Sequence, residues 1–183
     1  MADLIVFPLR IRRAEMDDVP AIAHLIERSI RILCAGVYTP EQVESLVRSS
    51  INVDRQIIAD GTYFVAEVNN RIIGVGGWSM RPAMHGTGHE GEQSRLLDPA
   101  RDAARLRLVY VAPEWARRGI ASKLVETAEV GARLAQFRRL ELLATLNGVP
   151  LYRKNGYQQL EQIDVPMADG RLVPGVHMEK QIA

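Results

Sequence analysis

Arg117, Arg118 and Gly119 stand between an apolar run, Val109-Tyr110-Val111, and a segment with helical periodicity. Ala112-Pro113 closes the run. Ile120, Leu124, Ala128, Gly131 and Leu134 or Ala135 then recur at three- to four-residue spacing, as one face of a helix does. A helix N-terminus carries unpaired N–H groups and the positive end of the helix dipole. Opened by a glycine turn, it makes a seat for phosphate. Gly119 lets the backbone come close, Ala121 keeps the entrance clear, Ser122 follows, and the arginines add positive charge. The segment predicts a pyrophosphate site, with a capping turn and solvated arginines as the plainer alternative.

Two familiar phosphate loops do not fit. A Walker A loop needs a glycine four residues before Gly-Lys-Ser/Thr, and here Ser122-Lys123 stand in the reverse order without one. A dinucleotide fingerprint needs three spaced glycines between strand and helix, and this turn has one. Gly74-Val75-Gly76-Gly77 comes nearer, but Ser79 occupies the third glycine position and no helical pattern follows.

A second segment, Thr145 to Tyr157, reads as a strand end, a short helix, a turn and a new strand. Asn147 is a suitable helix cap, Pro150 falls in the first turn, and Asn155-Gly156 stops the helix. Tyr152 lies on that helix, where the plain reading is a core aromatic with a satisfied hydroxyl.

Together the two segments resemble the GCN5-related N-acetyltransferases. The first is similar to that family's motif A, Arg/Gln-x-x-Gly-x-Gly/Ala after a strand and a Pro-containing turn. It corresponds to Ala116-Arg117-Arg118-Gly119-Ile120-Ala121, and Ala116 departs where the family has Arg or Gln. The second matches a late Tyr-x-x-x-Gly-Phe/Tyr, here Tyr152…Gly156-Tyr157.

The resemblance implies acetyl-coenzyme A as acyl donor, with its pyrophosphate on the backbone N–H groups of the turn. It implies that the motif A strand and the next one part at their C-terminal ends. Free backbone groups near Val109, Tyr110 and Val111 would then pair with the pantetheine arm as an added strand does. Arg117, Arg118, Gly119, Ile120, Ala121, Ser122, Asn147 and Tyr152 complete the expected cofactor site.

It implies direct attack of a primary amine of a small-molecule acceptor on the thioester. A backbone N–H of Val109–Val111 would serve the oxyanion, and Tyr152 would protonate the leaving thiolate as general acid. Some members carry a glutamate on the motif A strand, but Leu106 to Val111 holds no carboxylate. Glu67 and Glu141, acting through water, are the base candidates. His85, His89 and Glu90 lie in a glycine-bearing loop that argues against a helical metal site. The acceptor pocket is expected from Arg28, Arg31, Tyr38 and Glu41, with Trp78 either there or in the core. A non-catalytic acyl-CoA-binding sensor or partner-binding module is the rival reading.

The chain has 183 residues, a net charge of +1 and one cysteine, Cys34. That length predicts one domain over 1–183, with a core about 9–182. The charge gives no case for nucleic acid or an anionic membrane. No metal is expected, a lone cysteine suits a reducing cytoplasm, and Cys34 is expected to be packed. Leu4 to Phe7 does not read as a secretory signal, and no run approaches a membrane span. A homodimer is left open.

Strands are predicted at Leu9–Ala14, Thr62–Val68, Arg71–Ser79, Leu106–Val111, Arg139–Ala144, Tyr157–Gln162 and Val176–Ile182. Helices are predicted after Asp17-Asp18, after Thr39-Pro40, from Ile120 to about Gln136, and at Tyr152, with a short helical piece near Pro99–Ala103. The order β-α-α-β-β-β-α-β-α-β-β is an α/β chain with a central twisted mixed sheet flanked by helices, and it is the order of the resembled family.

Overall fold

In the computed structural model, residues 8–84 and 95–182 are described; His85, His89 and Glu90 lie outside them. Strand β1 (Arg10–Arg13) leads through a 3-10 turn (Met16–Asp18) into α1 (Val19–Leu33), α2 (Pro40–Ser50) and α3 (Arg55–Ala59). Then come β2 (Tyr63–Val68), β3 (Arg71–Ser79), β4 (Ala104–Val111), α4 (Ile120–Leu134), β5 (Arg139–Thr145), α5 (Val149–Lys154), β6 (Gln158–Pro166) and β7 (Leu172–Gln181).

Local chemistry accounts for most of these boundaries. Thr39 and Gln42 cap α2 reciprocally: Gln42 N donates to Thr39 Oγ1 at 3.3 Å, and Thr39 N to Gln42 Oε1 at 3.1 Å. Pro40 then fills the first helical position. Asn69 and Asn70 turn β2 into β3 with φ of 50° and 59°, the pair of positive values that a tight hairpin needs. Helix α3 goes beyond the sequence expectation. It is five residues long, too short to show a period, and Asp54 caps it by accepting from Gln56 N at 3.0 Å. Near Pro99–Ala103 there is a single turn rather than a helix, closed by Asp102 N donating to Asp98 O at 2.7 Å.

The sheet order is β1-β2-β3-β4-β5-β7-β6. All neighbours are antiparallel except β4 and β5, which run parallel and pair only at Ala104↔Leu140 and Arg105↔Glu141. Alternation along β2 sorts side chains to two faces. Tyr63 and Val65 join Ile22, Ile26 and Ile57 beneath α1 to α3, while Ala66 meets Ile120 and Leu124 of α4 on the other face.

Trp78 falls on one of its two expected sides, and two carboxylates lie away from where a base would act. Trp78 is core: it stacks edge-on against Phe137 at 5.9 Å, under the point where α4 passes at Gly131. Glu67 is buried beside β1, where its Oε1 accepts from Arg12 Nε at 2.9 Å and Nη2 at 2.6 Å. Glu141 lies where β4 and β5 are still paired, and accepts from Arg105 Nη1 at 2.7 Å. Both carboxylates serve ion pairs that stitch neighbouring strands.

Gly77 marks the tightest approach in the sheet. A Cβ there would stand 2.3 Å from Thr62 O and 2.8 Å from Tyr63 Cα. Backbone atoms cannot rotate away, so Gly77→Ala is expected to destabilise the fold by about 2–3 kcal/mol. The check is a lower urea midpoint at unchanged slope; an unaltered midpoint would contradict the packing.

Candidate active site

A bulge in β4 builds the site. Gly77 pairs with Arg107 and Val75 with Tyr110, so β4 carries one residue more than β3 across that interval. Leu108 takes up the excess with φ of 54°, a conformation unfavourable for a bulky side chain. Beyond the bulge, Ala112 N donates to Ile73 O at 2.9 Å. Antiparallel strands alternate bonded and unbonded pairs, so Tyr110 directs its backbone groups at β3. Val109 and Val111 direct theirs to the opposite side, where β5 has already separated.

Helix α4 begins at the mouth of this gap. Arg117 has φ of 64°, and Gly119 serves as N-cap with φ of 84° and no side-chain capping bond. The first N–H groups of a fifteen-residue helix therefore face outward unpaired, at the positive end of its dipole. Arg118 turns aside, its guanidinium 4.9 Å over the Trp115 ring.

A cavity of about 390 Å³ runs from that helix end into the gap. Val109 to Val111, Arg117, Gly119 to Ser122, Asn147 and Tyr152 all line it, so of the expected cofactor residues only Arg118 does not. Asn147 is no helix cap, because Gly148 takes that position. Its Nδ2 donates to Leu33 O at 3.0 Å and its Oδ1 accepts from the Cys34 thiol at 3.6 Å, fastening α1 to the end of β5. Ser29, Ile30 and Leu33 of α1, with Cys34 at its C-cap, form a wall that the sequence did not announce, since long-range packing alone brings them there.

A second chamber of about 90 Å³ lies on the other side of the gap. Tyr110, Thr145 and Tyr152 line both. Tyr38 lines the chamber; its hydroxyl donates to Pro174 O at 2.9 Å and accepts from Leu146 N at 2.7 Å, joining β7 to the end of β5. Arg28, Arg31, Glu41 and Trp78 line neither space. Arg28 pairs with Glu114 at 3.1 Å, and Arg31 with Glu27 at 2.9 Å and with Glu44. Glu67 and Glu141 are likewise absent from both walls.

Burial governs the titrating groups here. It raises the Tyr152 phenol well above its ordinary value, with Tyr110 adding to the effect. Tyr38 is pushed up to about 12, mainly by burial. The Tyr152 hydroxyl makes no hydrogen bond with the described residues, so its proton is available to a group placed between the cavities. Neither wall carries a carboxylate or histidine among the described residues. No group of three potential metal ligands occurs among them, and none of their helices is long and apolar enough to cross a membrane.

A parallel strand pair opened beside an uncapped helix N-terminus is the arrangement that the resemblance to the acetyltransferases implied. The chain belongs to the GNAT acetyltransferases: the pattern of the Acetyltransferase (GNAT) domain matches residues 59–159. Among solved structures it is similar to a GCN5-related N-acetyltransferase from Rhodopseudomonas palustris, at 21% identity and TM-score 0.71, covering 96% of this chain and 95% of that one. It is also similar to the PaiA N-acetyltransferase from Thermoplasma acidophilum in complex with coenzyme A, at 18% identity and TM-score 0.68, covering 95% and 99%. A third is the Salmonella typhimurium protein yncA, solved with its cofactor acetyl-CoA, at 18% identity and TM-score 0.64, covering 96% and 94%. No curated protein matches the sequence.

The cavity wall gives Cys34 a measurable property. Burial raises its thiol pKa, against a smaller opposing effect of the bond to Asn147. Its thiolate fraction at pH 8 is therefore below that of a free cysteine. A thiol reagent such as dithionitrobenzoate is expected to label the native protein at least about 100-fold more slowly than the urea-unfolded chain. Equal rates would place the thiol in open solvent.

Proposed function

We propose that the protein transfers the acetyl group of acetyl-CoA to a primary amine of a small-molecule acceptor, by direct attack on the thioester. The observation that carries this reading is the meeting of two cavities at Tyr110, Thr145 and Tyr152, one large enough for a cofactor arm and one smaller. The coenzyme A and acetyl-CoA held by two of the similar structures support the choice of donor.

In this reading the pyrophosphate rests on the N–H groups of Gly119 to Ser122, and the pantetheine arm pairs with the backbone of Val109 and Val111. The acceptor occupies the smaller chamber. Its nitrogen attacks the carbonyl carbon, a backbone N–H of β4 meets the oxyanion, and the C–S bond breaks. The Tyr152 hydroxyl protonates the departing thiolate and regains a proton from solvent. The nitrogen's surplus proton leaves through water.

An amine with a pKa of about 10.4 costs about 4–5 kcal/mol to present as free base at pH 7. With no carboxylate or histidine among the described lining residues, that cost falls on solvent and on desolvation of the amine. The same observation favours the rival reading, a non-catalytic acyl-CoA sensor, and activity separates the two.

Calorimetric titration with acetyl-CoA, with dephospho-CoA and ATP as controls, tests the donor. Saturable micromolar binding with much weaker ATP is expected, and no binding at millimolar acetyl-CoA would overturn both readings. Gly119→Glu puts an anion beside the pyrophosphate and a side chain at φ of 84°, so affinity is expected to fall by about tenfold or more. Wild-type affinity in the folded variant would contradict the placement.

Thiol release with a panel of primary amines then tests transfer. Tyr152→Phe is expected to lower kcat by about 10²-fold while leaving the acetyl-CoA Kd nearly unchanged. Activity of the wild type should rise with pH toward the amine's pKa. Binding without thiol release for any amine would favour the sensor.

A further inference from the structure

The Leu108–Val109 peptide is the hinge of the site. Its N–H belongs to Val109 and faces the gap between β4 and β5, as the pairing of the strand beyond it requires. The chain has no cis peptide among the described residues, and a trans peptide points its C=O and N–H to opposite sides. The Leu108 carbonyl therefore faces away from the gap. There it meets the hydroxyl of Tyr63, which donates to it at 3.0 Å.

Tyr63 comes from β2, two strands away, and its side chain is wholly enclosed. It packs against Gly77, whose missing Cβ would meet the Tyr63 ring at 2.9 Å. Close passage beneath β3 is what lets the phenol reach β4. Burial raises its pKa well above the ordinary value, so it stays a donor across the working pH range. The residue it holds, Leu108, is a bulky side chain in the left-handed region, which persists only where surroundings over-determine it. Arg107, next in the chain, is tied to Asp54 at 2.9 Å with both side chains buried. That second anchor fixes the strand just before the bulge.

Resting on the acetyl-CoA reading above, we propose that Tyr63 is a positioning residue: by holding the Leu108 carbonyl it aims the Val109 N–H at the thioester carbonyl oxygen, as the donor for the oxyanion. Tyr63 touches neither cofactor nor acceptor and lines neither cavity. It acts only through the peptide plane it holds.

The test reads that hydrogen bond directly. Acetyl-CoA labelled with ¹³C at its acetyl carbonyl is bound to the protein, and its thioester C=O stretch is recorded by isotope-difference infrared spectroscopy. Calorimetry gives its Kd in parallel. In the wild type the band is expected below that of free acetyl-CoA. In Tyr63→Phe it should return by half or more toward the free position, while Kd changes by less than about threefold. Val68→Ala, a core truncation elsewhere on β2, controls for general loosening and should keep the wild-type band.

A wild type that does not bind acetyl-CoA overturns the donor reading and this one with it. Binding with the same lowered band in wild type and Tyr63→Phe overturns the role of Tyr63 alone. Binding with no lowered band in the wild type overturns Val109 N–H as donor. Where Tyr63→Phe does not fold, Leu108→Gly serves instead, since it relieves the bulge but leaves the phenol in place. The lowered band should then persist. Its loss would show that the Leu108 backbone state, rather than the hydroxyl, sets the peptide plane.

Discussion

Two parallel strands that part after two residue pairs leave a row of N–H and C=O groups without strand partners, and buried groups of that kind must be met by something. In this chain the row lies on β4 and turns toward a cavity rather than toward packed side chains. A fold cannot keep such an edge open by default, because strands gain by closing on one another. The gap is held from outside. Tyr38 spans from the end of β5 to β7, Asn147 ties that end to α1, and Tyr63 with Arg107 grips β4 at its bulge.

Those anchors explain polar groups that would otherwise be costly. A buried ion pair such as Arg107–Asp54 often stabilises no more than a well-packed apolar pair would. Its value here is directional. Asp54 spends one oxygen on Arg107 and the other on the first turn of α3, so the short helix and the bulge share one carboxylate. Tyr110 adds a second tie from β4 to Ser50 at the end of α2, at 3.2 Å. The helices of that face thus do more than cover the sheet. They set the register at which β4 bends away from β5.

Legibility in the sequence followed the range of the interactions. The Asn69-Asn70 hairpin, the Thr39 cap and the glycine turn before α4 are each decided by a few adjacent residues, and each could be read from them. The seven strands could be read too, although β6 and β7 extend beyond the expected ends because each supplies the other's ladder. What could not be read depends on distant partners. Nothing near Glu67 announces Arg12, and nothing near Trp78 announces Gly131 crossing above it. Tyr63 reads as one more aromatic of an alternating strand. Only the register of β2 on β3 and of β3 on β4 reveals that its hydroxyl ends at Leu108.

The enclosed tyrosines around the gap share an electrostatic character. Tyr38, Tyr63, Tyr110 and Tyr152 all have pKa values raised, chiefly by burial. Each is neutral at physiological pH; Tyr38, Tyr63 and Tyr110 already donate to Pro174 O, Leu108 O and Ser50 Oγ, and only the Tyr152 hydroxyl has no such partner among the described residues. None can serve as a base there, because its phenolate is the form that burial disfavours. In the proposed reaction the Tyr152 hydroxyl is the one of the four left to meet a sulfur on which negative charge builds. It is poorly suited to removing a proton from an ammonium ion. In that proposed reaction the phenol serves the leaving group, and the nucleophile's proton is left to water.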